Sequence, residues 1–327
     1  MADLSTNYLG LELKNPILVS SSTLTQNLEG IKEAAANGAG AVVLRSLFEE
    51  VIRSETAGDN EPYSSHPEEY DYLMSELQLQ YGAQNYLELI KSAKAAVDIP
   101  IIASINCITP KWWVEYAKQI EAAGADALEL NLSLMPLDPG KRSADIEQEF
   151  IAIVRQARTS VNLPLAVKIG PYFTSLTRFA NEICGAGAQA LVLFNRFYRF
   201  DINLDNETLV GANPYSSEGE MHNSLRWVSA LYKRINGQLA ANTGIHSGEA
   251  VVKQILAGAQ VVEVASAIYL NGMGHLKKML DELQAYMQKK GYAKLDDFRG
   301  KLSFREIAEP EIFERLQYIK ALTSHNK

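Results

Sequence analysis

Short apolar runs alternate with longer amphipathic segments along the whole chain. The runs fall at Pro16–Ser20, Ala41–Ser46, Pro100–Asn106, Ala127–Ser133, Leu165–Gly170, Ala190–Asn195, Leu239–Gly244 and Val261–Ile268. Most are four to seven residues of Val, Ile, Leu and Ala without polar alternation, the pattern of strands buried on both faces. Between them, segments such as Pro110–Ala123 and Ser143–Val161 repeat apolar residues at three- and four-residue steps, which predicts helices, the second capped by Ser143 or Asp145. A weak internal repeat marks four helix-to-strand joints. Gly38-Ala39-Gly40-Ala41, Gly124-Ala125-Asp126-Ala127, Gly187-Ala188-Gln189-Ala190 and Gly258-Ala259-Gln260-Val261 each set a glycine between a helix end and a buried strand. Glycine suits that place because it lacks the Cβ that opposes positive φ.

Eight strand–helix units in series predict a parallel sheet closed into an α/β (β/α)8 TIM barrel. A doubly wound open sheet fits the alternation too, but no GxGxxG follows the first strand. All 327 residues are expected to form one barrel domain, with two long inserts, Glu49–Gln80 after strand two and Phe197–Met221 after strand six. Both follow strand C-termini, so they are expected over the C-terminal face as substrate lids; ornamental insertions or dimer contacts are the alternatives. A further helix, Pro310–Leu322, is expected to cover the barrel or meet a partner subunit.

Composition narrows the function class. Thirty-one basic and 39 acidic residues give a net charge of −8, with no basic run, which argues against nucleic acid or an anionic membrane as partner. Two cysteines, Cys107 and Cys184, form neither a disulfide framework nor a zinc or iron–sulfur motif, so no metal site is expected. The N-terminus lacks the features of a signal peptide, and no run of about 18 apolar residues could span a bilayer. A soluble cytoplasmic protein is expected.

Polar residues at the C-terminal ends of apolar strands carry the candidate chemistry: Ser20-Ser21-Ser22, Arg45-Ser46, Asn106, Asn131, Ser133, Lys168, Asn195-Arg196, Asn242-Thr243-Gly244 and Ser266. Amides and hydroxyls suit a flat heterocycle rich in C=O and N–H groups, and Lys168 and Arg45 suit negative charge developing on it. Lys168, ending a buried strand, must reach the barrel mouth or pair with a carboxylate such as Glu129 or Glu263. Arg45 has the alternative of bridging acids at a loop base, and the asparagines that of tying down loop backbone. Asn242–Gly248, a glycine-bearing turn opening a helix, resembles a phosphate site completed by Ala265-Ser266. Cys107 reads as a small buried thiol. His246 reads as a solvated loop histidine or a phosphate donor.

These residues resemble the dihydroorotate dehydrogenase family, closest to its dihydroorotate dehydrogenase-like branch. The likeness runs from Leu9-Gly10-Leu11 and Lys14-Asn15-Pro16 to Tyr292–Leu302, and is most specific at Glu129-Leu130-Asn131-Leu132-Ser133 and Val167-Lys168-Ile169-Gly170-Pro171-Tyr172. It implies a (β/α)8 barrel, bound FMN and a homodimer. It also implies Ser20 and Ser21 near the reactive edge of the flavin, Lys168 on its N1/O2 side, and Asn106 among the flavin ligands. Asn131 and Asn195 would face flavin and substrate, Arg45 and Arg196 would face substrate, and Thr243, Gly244, Ala265 and Ser266 would hold the phosphate. The chain departs from the family at four places. Leu134 stands where the family has its cysteine or serine base, with Ser133 the only hydroxyl beside it. Gln78–Asn85 replaces an Asn-rich stretch that grips substrate. Arg45 replaces a lysine, and Ser216-Ser217 a glycine pair. The expected activity is an FMN-dependent oxidoreductase acting on dihydroorotate or another small carbonyl-bearing substrate. Its rivals are a lyase or aldolase using Lys168 as a Schiff-base nucleophile and a flavin-binding protein without turnover.

Overall fold

The computed structural model describes residues 2–51, 82–106, 110–134, 137–197, 199–307 and 309–324. Eight parallel strands, β1 (Ile17–Val19), β2 (Ala41–Val43), β3 (Ile101–Asn106), β4 (Ala127–Asn131), β5 (Leu165–Ile169), β6 (Ala190–Leu193), β7 (Gln238–Asn242) and β8 (Val261–Val264), pair each with the next. β8 pairs with β1, and this pairing closes the barrel. Around it run helices α1 (Leu28–Ala36), α2 (Ala83–Ala96), α3 (Pro110–Ala123), α4 (Ser143–Ser160), α5 (Leu176–Gly185), α6 (Met221–Leu231), α7 (Gly248–Ala257), α8 (Ser266–Asn271) and α9 (His275–Lys290). The open-sheet alternative is excluded.

All eight expected strands form, most of them shorter than their apolar runs. The run Val261–Ile268 divides: the strand stops at Val264 and Ser266 opens α8, so Ser266 stands at a helix start rather than on a strand. α4 begins at Ser143, but neither Ser143 nor Asp145 caps it; Arg142 holds the cap position and its guanidinium grips Asp145 with two hydrogen bonds. The glycines of the repeat, Gly38, Gly124, Gly187 and Gly258, have φ of 95°, 92°, 122° and 124°, as the helix-end reading requires.

Strand residues alternate between two cores. Outward-facing side chains pack on the helices. Inward-facing Leu18, Ala41, Val43, Ile102, Ala127, Ala166, Ala190, Val192, Ala240 and Val261 fill the N-terminal half of the barrel. Most are small, which leaves space for Tyr8, Leu9 and Leu13 from an N-terminal hairpin (Thr6–Tyr8 with Leu11–Leu13) that plugs this end. A second hairpin, Phe200–Asn203 with Thr208–Gly211, stands in the Phe197–Met221 insert, for which the sequence pattern predicted no strands. Phe200, Ile202 and Leu209 on it are exposed. The tail forms α10 (Pro310–Ser324), tied to α6 by an ion pair between Arg226 and Glu314. No helix among the described residues is long and apolar enough to cross a membrane. Residues 52–80 of the first insert and Cys107 lie outside the described residues.

The glycine joints give a paired prediction. A Cβ at Gly124 meets open space, so Gly124→Ala carries only the positive-φ penalty, about 1–2 kcal/mol. At Gly258 the added Cβ lies 2.3 Å from the Tyr232 ring, so Gly258→Ala adds an overpacking cost of about 1–3 kcal/mol. Denaturant midpoints of the two variants should fall in that order.

Candidate active site

Two residues beyond the apolar layer, the same inward parity reaches Ser20, Ser104, Glu129, Lys168 and Glu263. All five are buried inside the barrel, Lys168 with 4% of its surface exposed. The Lys168 Nζ donates to Glu263 Oε2 at 2.8 Å and to Ser20 Oγ at 3.1 Å, and lies 3.6 Å from Glu129 Oε1. The Ser20 hydroxyl donates in turn to Glu263 Oε2 at 3.0 Å. Both carboxylates named in sequence as partners of Lys168 are therefore present. Burial opposes the ammonium, but the two carboxylates outweigh it and hold the amine above its ordinary value. Burial, and after it the charge of Glu263, pushes the Glu129 carboxyl well above the usual range.

Above this cluster sits an amide layer. Asn195 Nδ2 donates to Asn131 Oδ1 at 2.8 Å, and Asn242 donates to the Phe194 carbonyl. On the other side of the mouth, the Ser21 hydroxyl accepts from Ser46 N–H and meets Ser46 Oγ at 3.1 Å; Ser46 meets Ser104 Oγ at 2.8 Å. Asn106 ends β3 half-buried. Arg45 donates to Gln26 Oε1 in a crevice between α1 and α2 whose lining includes Thr25, Asn85 and Tyr86, so no described contact brings it to Lys168. Ser133 is half-buried. Leu134 beside it packs against the outer core, and its hydrocarbon side chain accepts no proton.

The turn after β7 is covered by a strap, residues 212–220. Thr243 and Gly244 both have positive φ, 73° and 78°. A Cβ on Gly244 would lie 2.2 Å from Met221 N, so the close approach of the strap demands glycine there. Ser216 joins the strap to both parts of the expected phosphate site. Its Oγ accepts from Gly244 N–H at 3.1 Å, and its N–H donates to Ser266 Oγ at 2.9 Å. His246 Nε2 lies 3.2 Å from Ser216 Oγ, so this histidine is partnered rather than merely solvated. Arg196 lines a pocket together with Asn195, Asn242 and Thr243, and its guanidinium is tied to the strap: it donates to the Asn213 and Pro214 carbonyls and, with Arg199, pairs with Glu220. Its observed role is to hold the strap. Ala265 occupies the N-cap of α8.

The sequence profile of the family described as dihydroorotate dehydrogenase matches residues 3–287. The chain belongs to the dihydroorotate dehydrogenase family. Among its relatives, dihydroorotate dehydrogenase B (NAD(+)), catalytic subunit, of Thermoplasma volcanium is 27% identical over 305 residues, covering 92% of this chain and 98% of that protein. The protein of the same description from Methanocaldococcus jannaschii is 27% identical over 297 residues (87% and 94%). Dihydroorotate dehydrogenase A (fumarate) of Lactobacillus helveticus is 26% identical over 313 residues (93% and 100%). Membership makes the chain an oxidoreductase and implies a flavin cofactor; the lyase reading of Lys168 is not favoured.

Sequence reading missed the roles of Ser216, Glu220 and Tyr8. Glu220 carried only the Ser217-to-Glu220 spacing of a capping box, since its partners Arg196 and Arg199 lie 24 and 21 residues away. Tyr8 carried a faint one, the Leu9-Gly10 turn of a tight hairpin.

Removing the cation from the buried cluster strands two carboxyls. Lys168→Met should cost about 3–5 kcal/mol at neutral pH. Because the remaining carboxyls take up protons in acid, the loss should shrink as pH falls; paired urea titrations at two pH values read this directly.

Proposed function

We propose that the chain is an FMN-dependent oxidoreductase moving a hydride between the flavin and a small, planar, carbonyl-bearing substrate, with dihydroorotate the first candidate. The observation that carries this reading is the stack of Lys168 beneath the Asn131–Asn195 amides, beside the Thr243–Gly244 turn. The donor set fits a flavin. An ammonium and two amides match a ring edge of carbonyl and N–H groups, and Gly244 N–H and the Ser266 hydroxyl match a phosphate. At the phosphate end the acceptor position opposite Gly244 N–H is held by Ser216 Oγ, which phosphate oxygens would replace or join.

Bound there, FMN would supply the hydride acceptor. Lys168 would stabilise negative charge on the ring, with Ser20 fixing the ammonium. Asn131 and Asn195 would orient ring and substrate; Thr243, Gly244, Ala265 and Ser266 would hold the phosphate. Asn106 and Ser21 would line the pocket. Arg45, Arg196 and Ser133 are the weaker candidates, the first two because their guanidinium groups already bond to Gln26 and to Glu220. Leu134 offers no base, and loss of a positioned base costs about 10²–10⁴-fold in rate, so dihydroorotate turnover is expected to be slow. The two inserts would lie over the C-terminal face, and the protein would work in the cytoplasm as a homodimer, meeting neither nucleic acid nor membrane. The naming of several relatives as catalytic subunits adds a partner chain as the route for electrons.

The visible spectrum of the purified protein is expected to show flavin bands that bleach with dithionite and, more slowly, with anaerobic dihydroorotate. Bleaching by dithionite alone would remove dihydroorotate and favour flavin binding without that turnover. No flavin binding after reconstitution would overturn the proposal.

Ser216 gives a second test. Ser216→Ala leaves Gly244 N–H unpaired in the flavin-free protein and should cost it about 1–2 kcal/mol. The phosphate of FMN would supply the missing acceptor, so FMN affinity, measured by fluorescence titration, should hold or rise. A clear fall would show that the serine hydroxyl itself holds the phosphate.

A further inference from the structure

The centre of the barrel holds two carboxyls against one ammonium. Glu129 and Glu263 are each 1% exposed, directly above a layer of alanine, valine and leucine. The partners are shared unequally. Glu263 Oε2 receives the short contact from Lys168 and the Ser20 hydroxyl, whereas Glu129 stands 3.6 Å from the ammonium, beyond hydrogen-bond reach. One oxygen on each carboxyl, Glu129 Oε1 and Glu263 Oε1, has no hydrogen-bond partner, and the buried Tyr8 hydroxyl below has none either. Buried polar atoms without partners call for a cause. Two ionised carboxylates in contact inside an apolar enclosure repel strongly, and a single proton turns the repulsion into a hydrogen bond.

We propose that Glu129 and Glu263 share one proton at neutral pH, resident on Glu129, and that Lys168 relays it to and from the ligand bound over the barrel mouth. The residence follows from geometry: Glu263 already has the ammonium and a hydroxyl to balance a charge, and Glu129 has neither at bonding distance. Burial and the neighbouring carboxylate act on Glu129 in the same direction. Among the described residues, the titratable groups acting on it from packed elements are Lys168 on β5, Glu263 on β8, Tyr8 on the N-terminal hairpin and Tyr86 on α2. Both tyrosines are driven upward by burial, so they stay neutral and leave the proton to the carboxyls.

The relay rests on the flavin reading above; the shared proton does not. In the relay, a proton leaves Lys168 Nζ for an acceptor atom on the ligand; the shared proton passes from Glu129 to Glu263, and Glu263, 2.8 Å from the amine, returns a proton to Nζ. Glu129 is left as a carboxylate. No electron moves in the step, and one negative charge passes from the ligand into the cluster.

Infrared spectra of the full chain, flavin-free and FMN-loaded, test both halves. At pH 7 the flavin-free protein should show the C=O stretch of a protonated carboxyl, shifted in D2O. The band should vanish in Glu129→Gln. It should vanish as well in Glu263→Gln, where Glu129 ionises against Lys168. A wild type without the band at pH 7, or a band that survives in Glu263→Gln, overturns the shared proton. If a variant fails to fold, titration of the wild-type band decides, since ordinary carboxyls lose theirs near their reference values, about pH 4. Reducing the FMN-loaded protein should diminish the band; a band unchanged on reduction overturns the relay alone. Failure to load FMN overturns the proposed function and leaves the flavin-free result standing.

Discussion

A strand turns successive side chains to opposite faces, and in a closed barrel one of those faces has nowhere to go but inward. Here that two-residue step writes layers into the interior. Ala127, Ala166 and Val261 sit low and face one another; two residues later, Glu129, Lys168 and Glu263 must do the same. The low layer is narrow enough to be sealed by Tyr8 and Leu9 from the N-terminal hairpin. The upper layer is then a charged group on an apolar floor, reachable from the C-terminal face. A one-residue slip of any of these strands would exchange its charge for a core side chain and lose both layers at once.

This dependence explains what could be read from the sequence. The strands were legible because each is buried on both faces, and the four glycines because each joint needs a positive φ that other residues resist. Lys168 was legible as a cation on a buried strand, and its two carboxylate partners could be named from their own place on such strands. Its geometry was not legible, because register between strands decides which carboxylate comes to 2.8 Å and which stays at 3.6 Å. The strap was not legible either. Ser216 meets Gly244 and Ser266 across separations of 28 and 50 residues, and an irregular segment has no period from which to infer a facing side chain. Arg196 shows the same limit: its position at a strand end suggested substrate, while its guanidinium is committed to the carbonyls and the carboxylate of the strap.

The two sides of the mouth are built to different degrees. On the Lys168 side, Asn195 bonds to Asn131, and the Lys168 ammonium bonds to Ser20 and Glu263. Among the substrate-side candidates, Leu134 carries a hydrocarbon side chain at the position where the resemblance expects a proton acceptor, and Arg45 donates to Gln26. Family membership therefore fixes the class of reaction more firmly than the substrate. A flavin site depends on the barrel strands, and a substrate site depends on the loops between them, so the first survives changes that remake the second.

The strap joins these two halves. An anion site built from backbone N–H groups carries an unfavourable partial charge when no anion is present, and burial makes the unpaired donor costly. Ser216 removes that cost by placing a hydroxyl oxygen against Gly244 N–H and its own N–H against Ser266. Glu220, gripped by Arg196 and Arg199, keeps the segment over the turn. Gly244 is the one position where this closeness permits no side chain, because the backbone of Met221 lies where a Cβ would be. The same contacts that stabilise the flavin-free fold thus arrange a hydroxyl and two backbone segments around the place proposed for a phosphate. Entry of that phosphate needs a change of partner at Ser216, not a rearrangement of the barrel.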